Sequence, residues 1–287
     1  MPLPNSFKRL ARKALEEDSA RNDITSRLTV SASSRSQAAI IAKDNGVVCG
    51  IEIARFVFSC LDRSNEFKIH KHDGDRFTYR EKIATINGKT RAILGAERMA
   101  LNFLCLLSGT ATATRRLVDK VRGYPVTILS TRKTTPTLRK LEEYAVCIGG
   151  GSHHRVSLAD WVLIKDNHLR ASGCVKGKTV NPARIARIMK KIRRATSTTI
   201  EVEVENLSEF IHVANNLPDI IMLDNFPIEN LIAAVRLRNK KYPGIKLEAS
   251  GGVNEQSVKA IAATGVDFIS VGSITHSPRA IDFSLEF

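Results

Sequence analysis

The sequence predicts an α/β protein whose second half is built on a parallel sheet. Three observations lead there. The chain has 287 residues, of which 43% are hydrophobic and 25% charged, so it can bury a sizeable core and does not belong with disordered or collagen-like chains. From residue 125 onward, short β-branched runs alternate with amphipathic stretches of helical period. Strand–helix alternation at this spacing signals βαβ units, joined by right-handed crossovers. The length suits one large α/β domain or two ordinary ones.

The runs are VTILS (126–130), WVLIK (161–165), IEVEVE (200–205), IIMLD (220–224), IKLEAS (245–250) and FISVG (268–272). Helices are expected near 136–145, 182–194, 207–216, 228–239 and 256–263. Six strands fit either an open sheet or an incomplete barrel. The first hundred residues are mixed. A helix is expected over 4–17, strands at 37–42, 47–49 and 67–70, and a turn at DGD (73–75). A long helical stretch covers 91–107 and resumes at 112–121 after Gly109.

Five cysteines (Cys49, Cys60, Cys105, Cys147, Cys174) are an odd number, widely spread and without a CxxC, which argues against a disulfide framework and structural zinc. No apolar region precedes the charges of the opening MPLPNSFKRLARKALEED, so no signal peptide is read there, and a reducing cytoplasm is the expected compartment. The longest apolar stretch, residues 99–107, is far shorter than the roughly 20 residues a membrane span needs. With 44 Lys+Arg against 29 Asp+Glu, the formal charge is +15, which invites a polyanionic partner. The densest basic run, Arg184, Arg187, Lys190, Lys191, Arg193 and Arg194, interleaves with Ile185, Ile188, Met189 and Ile192 and reads as a solvated helix face. It lacks the aromatics that stack bases and any helix-turn-helix or zinc-finger pattern, so neither nucleic acid nor membrane is expected as a partner.

What ends each strand carries the functional signal. The ends read Thr131-Arg132-Lys133, Lys165-Asp166-Asn167-His168, Asp224-Asn225, Ser250-Gly251-Gly252 and Gly272-Ser273, and the third run carries Glu201, Glu203 and Glu205. In an α/β barrel such ends converge on one mouth, where the chemistry sits. Glu201, Glu203 and Glu205 share one face of their strand, and facing a barrel interior they would need cations such as Lys133 and Lys165. Glu205 could equally cap the following helix. Asp224 closes an otherwise apolar run. The two glycine turns suit the approach of a phosphate. The segment GGGSHHR (149–155) delivers His153, His154 and Arg155 on a pliant loop. Anion binding by the planar fork of Arg155 is the preferred reading there, since adjacent histidines rarely share a metal.

Taken together, NDIT (22–25), ERMALNFLCLLSGTAT (97–112), TRKTTPTLRKLEEYAV (131–146), GGGSHHR (149–155), LIKDNH (163–168), EVEVENL (201–207), IIMLDNF (220–226), SGGV (250–253) and GVDFISVGSITH (265–276) resemble the quinolinate phosphoribosyltransferase family, through nearly the whole chain and in the family's order. The resemblance implies an N-terminal α/β sandwich over 1–112, joined by the tail 277–287, and a seven-stranded open α/β barrel over 113–276. Three departures stand out: Ser130 where the family usually has aspartate, Thr137 in place of glycine, and His153 in place of asparagine.

The resemblance also implies an activity, transfer of phosphoribosyl from phosphoribosyl pyrophosphate (PRPP) to quinolinate with loss of carbon dioxide, which belongs to NAD biosynthesis. It implies that Arg132, Arg155 and Arg98 grip the diacid with His154 and Lys165, Arg98 coming from the neighbouring subunit of a homodimer. Lys133, Glu203 and Asp224 would act on the sugar donor. Thr131, Ser250, Gly251, Gly252, Val271, Gly272 and Ser273 would hold its phosphate. Mg²⁺ would enter with the donor, at Glu203 and Asp224 directly or through water, and no organic cofactor is needed. The competing readings are a homologue of the same fold linked to molybdenum transport, which TRKT and GGG-x-H-H-R disfavour, a Schiff-base aldolase using Lys165, and a nucleic-acid binder.

Overall fold

The structure, a computed structural model, describes residues 3–177 and 179–287 and divides into two compact units. One is formed by the chain up to Arg115 with Pro136–Gly150 and Ser277–Phe287, the other by Arg116–Thr135 and Gly151–His276.

In the first unit a four-stranded antiparallel sheet runs in the order Phe283–Glu286, Arg35–Ala42, Lys82–Lys89, Glu66–Ile69. The tail supplies the edge strand, with Ala39 opposite Glu286 and Ala42 opposite Phe283. The helix Asn5–Glu17 buries Phe7, Ala11 and Leu15, one per turn, as expected of an amphipathic helix. Lys82–Lys89 is an unforeseen strand, because its Asn87-Gly88 pair reads locally as a turn. A Cβ on Gly88 would sit 1.8 Å from the Asn65 carboxamide, so a close approach is what selects glycine.

The two helical stretches expected around Gly109 are one 31-residue helix, Thr90–Lys120. Gly109 does not break it. A Cβ there would lie 2.5 Å from the Arg279 carbonyl, so the residue marks where the tail crosses the helix. This helix is apolar and long enough to cross a membrane by length and composition, but half of its apolar window is buried in the protein. Its Ser108 and Thr112 hydroxyls accept from the Cys49 and Val47 N–H groups at 3.0 and 2.9 Å. The segment Pro136–Gly150 packs with this unit as well. Its helix Arg139–Ile148 puts Leu141 and Ala145 into the same core as Phe7, and the Tyr144 ring meets Phe7 edge-on at 5.8 Å.

The second unit carries six parallel strands, β1 (Thr127–Leu129), β2 (Val162–Ile164), β3 (Ile200–Val204), β4 (Ile220–Asp224), β5 (Lys246–Ser250) and β6 (Phe268–Ser270), in the order β1-β6-β5-β4-β3-β2. A single parallel bridge from Leu129 to Ser152 extends this six-stranded sheet by one residue at its β1 edge, where the seventh strand is expected. Ile221, Leu223, Leu247, Ala249 and Ile269 alternate with inward residues and are fully or almost fully buried. Opposite them, Glu201, Glu203, Met222, Asp224, Glu248, Ser250 and Ser270 occupy the other face. Asp267 ties β5 to β6: it accepts from the Leu247 N–H at 2.9 Å and from Arg238 at 2.7 Å, while Arg238 also reaches the Ile245 carbonyl at 3.0 Å.

Candidate active site

At the C-terminal ends of the strands lies a cavity of about 410 Å³, lined by Thr131, Arg132, Lys133, His154, Arg155, Leu163, Lys165, Glu203, Met222, Asp224, Ser250 and Ser270. Its size falls within the usual range for small-molecule sites. Each strand sends in what its sequence ends with. After β1, Ser130 N–H bonds the Ser152 carbonyl at 2.9 Å, so the chain passes directly into Thr131, Arg132 and Lys133. The Lys133 carbonyl is held by the Thr275 hydroxyl at 2.7 Å. Lys165, at the start of the helix Asp166–Ala171, forms an ion pair with Glu203 of β3. Asn225 after β4 takes a positive φ of 54° and its N–H bonds the Ser250 carbonyl at 2.8 Å, stitching the ends of β4 and β5 together.

The electrostatics of the cavity are lopsided. Five basic residues line it (Arg132, Lys133, His154, Arg155, Lys165) against two acids (Glu203, Asp224). Arg155 is only 5% exposed, and burial together with the Arg132 guanidinium pulls its basicity down. The Nε atoms of both arginines are buried without a hydrogen-bond partner. Buried donors without partners are costly, so these two are placed for an anionic ligand to complete. Lys165 is committed to the Glu203 carboxylate rather than standing free at its strand end.

His154 lines the same cavity. Its Nε2 lies 3.0 Å from a Glu201 oxygen and 3.4 Å from a Glu248 oxygen. Burial alone would lower its pKa; the two carboxylates overcome that and raise it to about 9. Burial pushes Glu248 up. Among the described residues this trio has the spacing of a metal-ligand set.

These features can be set beside known proteins. Residues 110–286 match the quinolinate phosphoribosyl transferase C-terminal domain and residues 23–108 its N-terminal domain. The chain belongs to the quinolinate phosphoribosyltransferase family. It is 37% identical over 278 residues to a nicotinate-nucleotide pyrophosphorylase (carboxylating) of Mycobacterium leprae, covering 96% of this chain and 95% of that one. To a probable enzyme of the same name from Synechocystis it is 40% identical, over 88% of this chain and 83% of the other. The solved nicotinate-nucleotide pyrophosphorylase of Francisella tularensis superposes with a TM-score of 0.89 at 38% identity, covering 99% and 97% of the two chains.

Among the residues expected to act in a quinolinate phosphoribosyltransferase, the cavity brings together Thr131, Arg132, Lys133, His154, Arg155, Lys165, Glu203, Asp224 and Ser250. Gly251 and Gly252 follow Ser250 with φ of 92° and 62°, and a Cβ on Gly251 would fall 2.2 Å from the Asn225 side chain. Val271 is buried, and Gly272 and Ser273 lead into the short helix Ser273–His276. A Cβ on Gly272 would meet His276 at 3.2 Å and Lys133 at 3.4 Å. Arg98 is exposed on the helix Thr90–Lys120 in the first unit. Glu205 lies outside the cavity, exposed and paired with Arg170 at 3.0 Å. Sequence reasoning missed the apolar walls Leu163 and Met222, and also Ser270, Trp161 and Glu248. Only Glu248 had a visible signal, as a lone acid inside the apolar run IKLEAS.

Proposed function

We propose that the chain transfers phosphoribosyl from PRPP to quinolinate with decarboxylation, giving nicotinate mononucleotide, pyrophosphate and carbon dioxide. The observation that carries this reading is the pair of arginines, Arg132 and Arg155, whose buried Nε–H groups have no partner, in one cavity with the carboxylates Glu203 and Asp224. A planar diacid needs converging forks, and an electron-poor sugar needs carboxylates.

Arg132 and Arg155 bind the two carboxylates, with His154 and Lys165 adding charge beneath and beside them. The loops Ser250–Gly252 and 271–273 hold the 5′-phosphate with Thr131, and Lys133 faces the pyrophosphate. With the ring nitrogen positioned against the anomeric carbon, the N–C bond forms as the C–O bond to pyrophosphate breaks. Glu203 and Asp224 steady the oxocarbenium-like charge that develops between these events. The ring nitrogen is then cationic. Its charge stabilises the carbanion left on the neighbouring carbon when the C–CO₂ bond breaks, and a proton added to that carbon restores the ring C–H. The protein supplies positioning and preorganised charge, with no covalent nucleophile.

Mg²⁺ would be held through Asp224, whose carboxylate accepts from Asn225 at 2.7 Å and makes no ion pair among the described residues, together with donor oxygens. Glu203 joins it only when Lys165 shifts to a phosphate. The metal would neutralise pyrophosphate charge. The working unit is a homodimer in which Arg98 of one subunit completes the diacid site of the other. The compartment is the cytoplasm, in keeping with five free cysteines.

Incubating the pure protein with quinolinate, PRPP and Mg²⁺ tests the reading. Nicotinate mononucleotide and carbon dioxide should appear in equal amounts. Turnover of nicotinate but not quinolinate would refute it.

A further inference from the structure

Glu201 on β3 and Glu248 on β5 are both 0% exposed, an expensive place for two carboxylates. Both point at one atom, His154 Nε2, at 3.0 and 3.4 Å, and neither contact has the alignment of a direct hydrogen bond. The nitrogen is shared between the two acids. Trp161 Nε1 donates to Glu201 at 3.2 Å, and its ring lies 5.1 Å from the imidazole, tilted by 58°. The Ser270 hydroxyl donates to the remaining oxygen of Glu248 at 2.5 Å.

We infer that Glu201 and Glu248 form a buried acidic cradle that orients His154 and keeps its imidazole a cation, so that the cavity presents a fixed positive charge to a carboxylate of the bound diacid. This rests on the reading of the cavity as a quinolinate site. Neither acid lines the cavity, so both are positioning residues that act through His154.

The groups around the ring support a proton rather than a metal ion. The titratable groups facing Nε2 are Glu201 and Glu248. The hydrogen-bond donors to the cradle, Trp161 and Ser270, are neutral, and an indole N–H cannot ligate a cation, while the Arg155 charge also acts on Glu201. Arg132 and Arg155 line the same cavity and oppose a further divalent charge. Three ligands would also leave a structural metal one short of its usual four. A proton on Nε2 places one positive charge between the two acids without any of these conflicts. The cradle separates two roles: the arginines supply planar hydrogen bonding, whereas His154 supplies charge that water cannot screen.

The test uses the full-length protein labelled with ¹⁵N-histidine, with the His154 signals assigned by their loss in H154N. In the wild type the ring nitrogens should report a cation at about pH 8, well above the ordinary histidine range. In Glu201→Gln the midpoint should fall by about one unit or more, because burial is then opposed by a single acid. The KM for quinolinate should rise about tenfold at about pH 8 and recover at about pH 6, while the KM for PRPP stays unchanged. A merely structural role would move both KM values and would not be rescued by acid. Glu248→Gln should shift the midpoint in the same direction and serves if Glu201→Gln does not fold. A neutral His154 in the wild type at about pH 7.5 overturns the cradle while leaving the quinolinate reading intact. A cationic His154 in a protein whose ring signals ignore added quinolinate overturns that reading, and the assigned role with it.

Discussion

Replacing Arg155 with glutamine should weaken quinolinate binding severely while leaving the empty protein as stable as before, or more so. Arg155 is nearly fully buried beside Arg132, and its Nε–H has no partner. In the empty protein the guanidinium is a desolvated cation next to a like charge, and Glu201, Asp160 and Glu203 offset only part of that. In the complex the fork makes two charge-assisted hydrogen bonds, each worth about 1.5–3 kcal/mol. Removing them should cost about 3–5 kcal/mol, a loss of roughly a hundredfold to a few thousandfold at 1.4 kcal/mol per decade. Calorimetric titration with quinolinate gives the affinity, and scanning calorimetry of the unliganded variant gives Tm, expected within about 2 °C of wild type. A Tm lowered by about 8 °C with affinity retained would show that Arg155 holds the loop together and would refute the assignment.

Asp224→Asn should lower kcat more than either KM, because its charge matters most in the transition state; an effect confined to KM counts against that role. Mixing separately inactive Arg98→Ala and Asp224→Asn proteins under subunit exchange should restore part of the activity, since a mixed dimer holds one intact composite site; no recovery would place Arg98 outside the site. Thr137 carries a positive φ of 71°, costly for a β-branched residue, so Thr137→Gly should raise Tm by about 1–3 °C after the entropy of glycine is discounted, whereas Thr137→Ala should not. His154, raised to about 9 from an ordinary value near 6.5, contributes stability that is fully present below about pH 6.5 and fades as pH rises through about 9. Melting temperature should therefore decline across that window, and less steeply in Glu201→Gln; parallel curves would sink the linkage.

Much of the barrel was legible from residue patterns. Runs such as IIMLD and IEVEVE are short, β-branched and bounded by polar groups, and they became β4 and β3 because a parallel strand covered on both faces leaves that signature whatever surrounds it. The first unit was harder. Lys82–Lys89 hides behind a turn-like Asn87-Gly88, and Gly109 looks like a helix break, because glycine chosen for a close approach carries the same letter as glycine chosen for a turn.

The cavity residues divide the same way. Arg132, Lys165, Asp224 and Ser250 stand at strand ends, where local pattern and barrel geometry point to one place. Trp161 is an ordinary letter in its own segment, and Glu248 shows there only as a lone acid. Their role depends on which atoms meet across β3, β5 and the loop before β2, and side-chain direction three strands apart is a property of the closed sheet alone. The amino-acid order by itself determined the strands, the polar ends and the family likeness. Tertiary structure decided that two buried acids share one imidazole, since a charge can be kept away from water only by partners that folding brings to it.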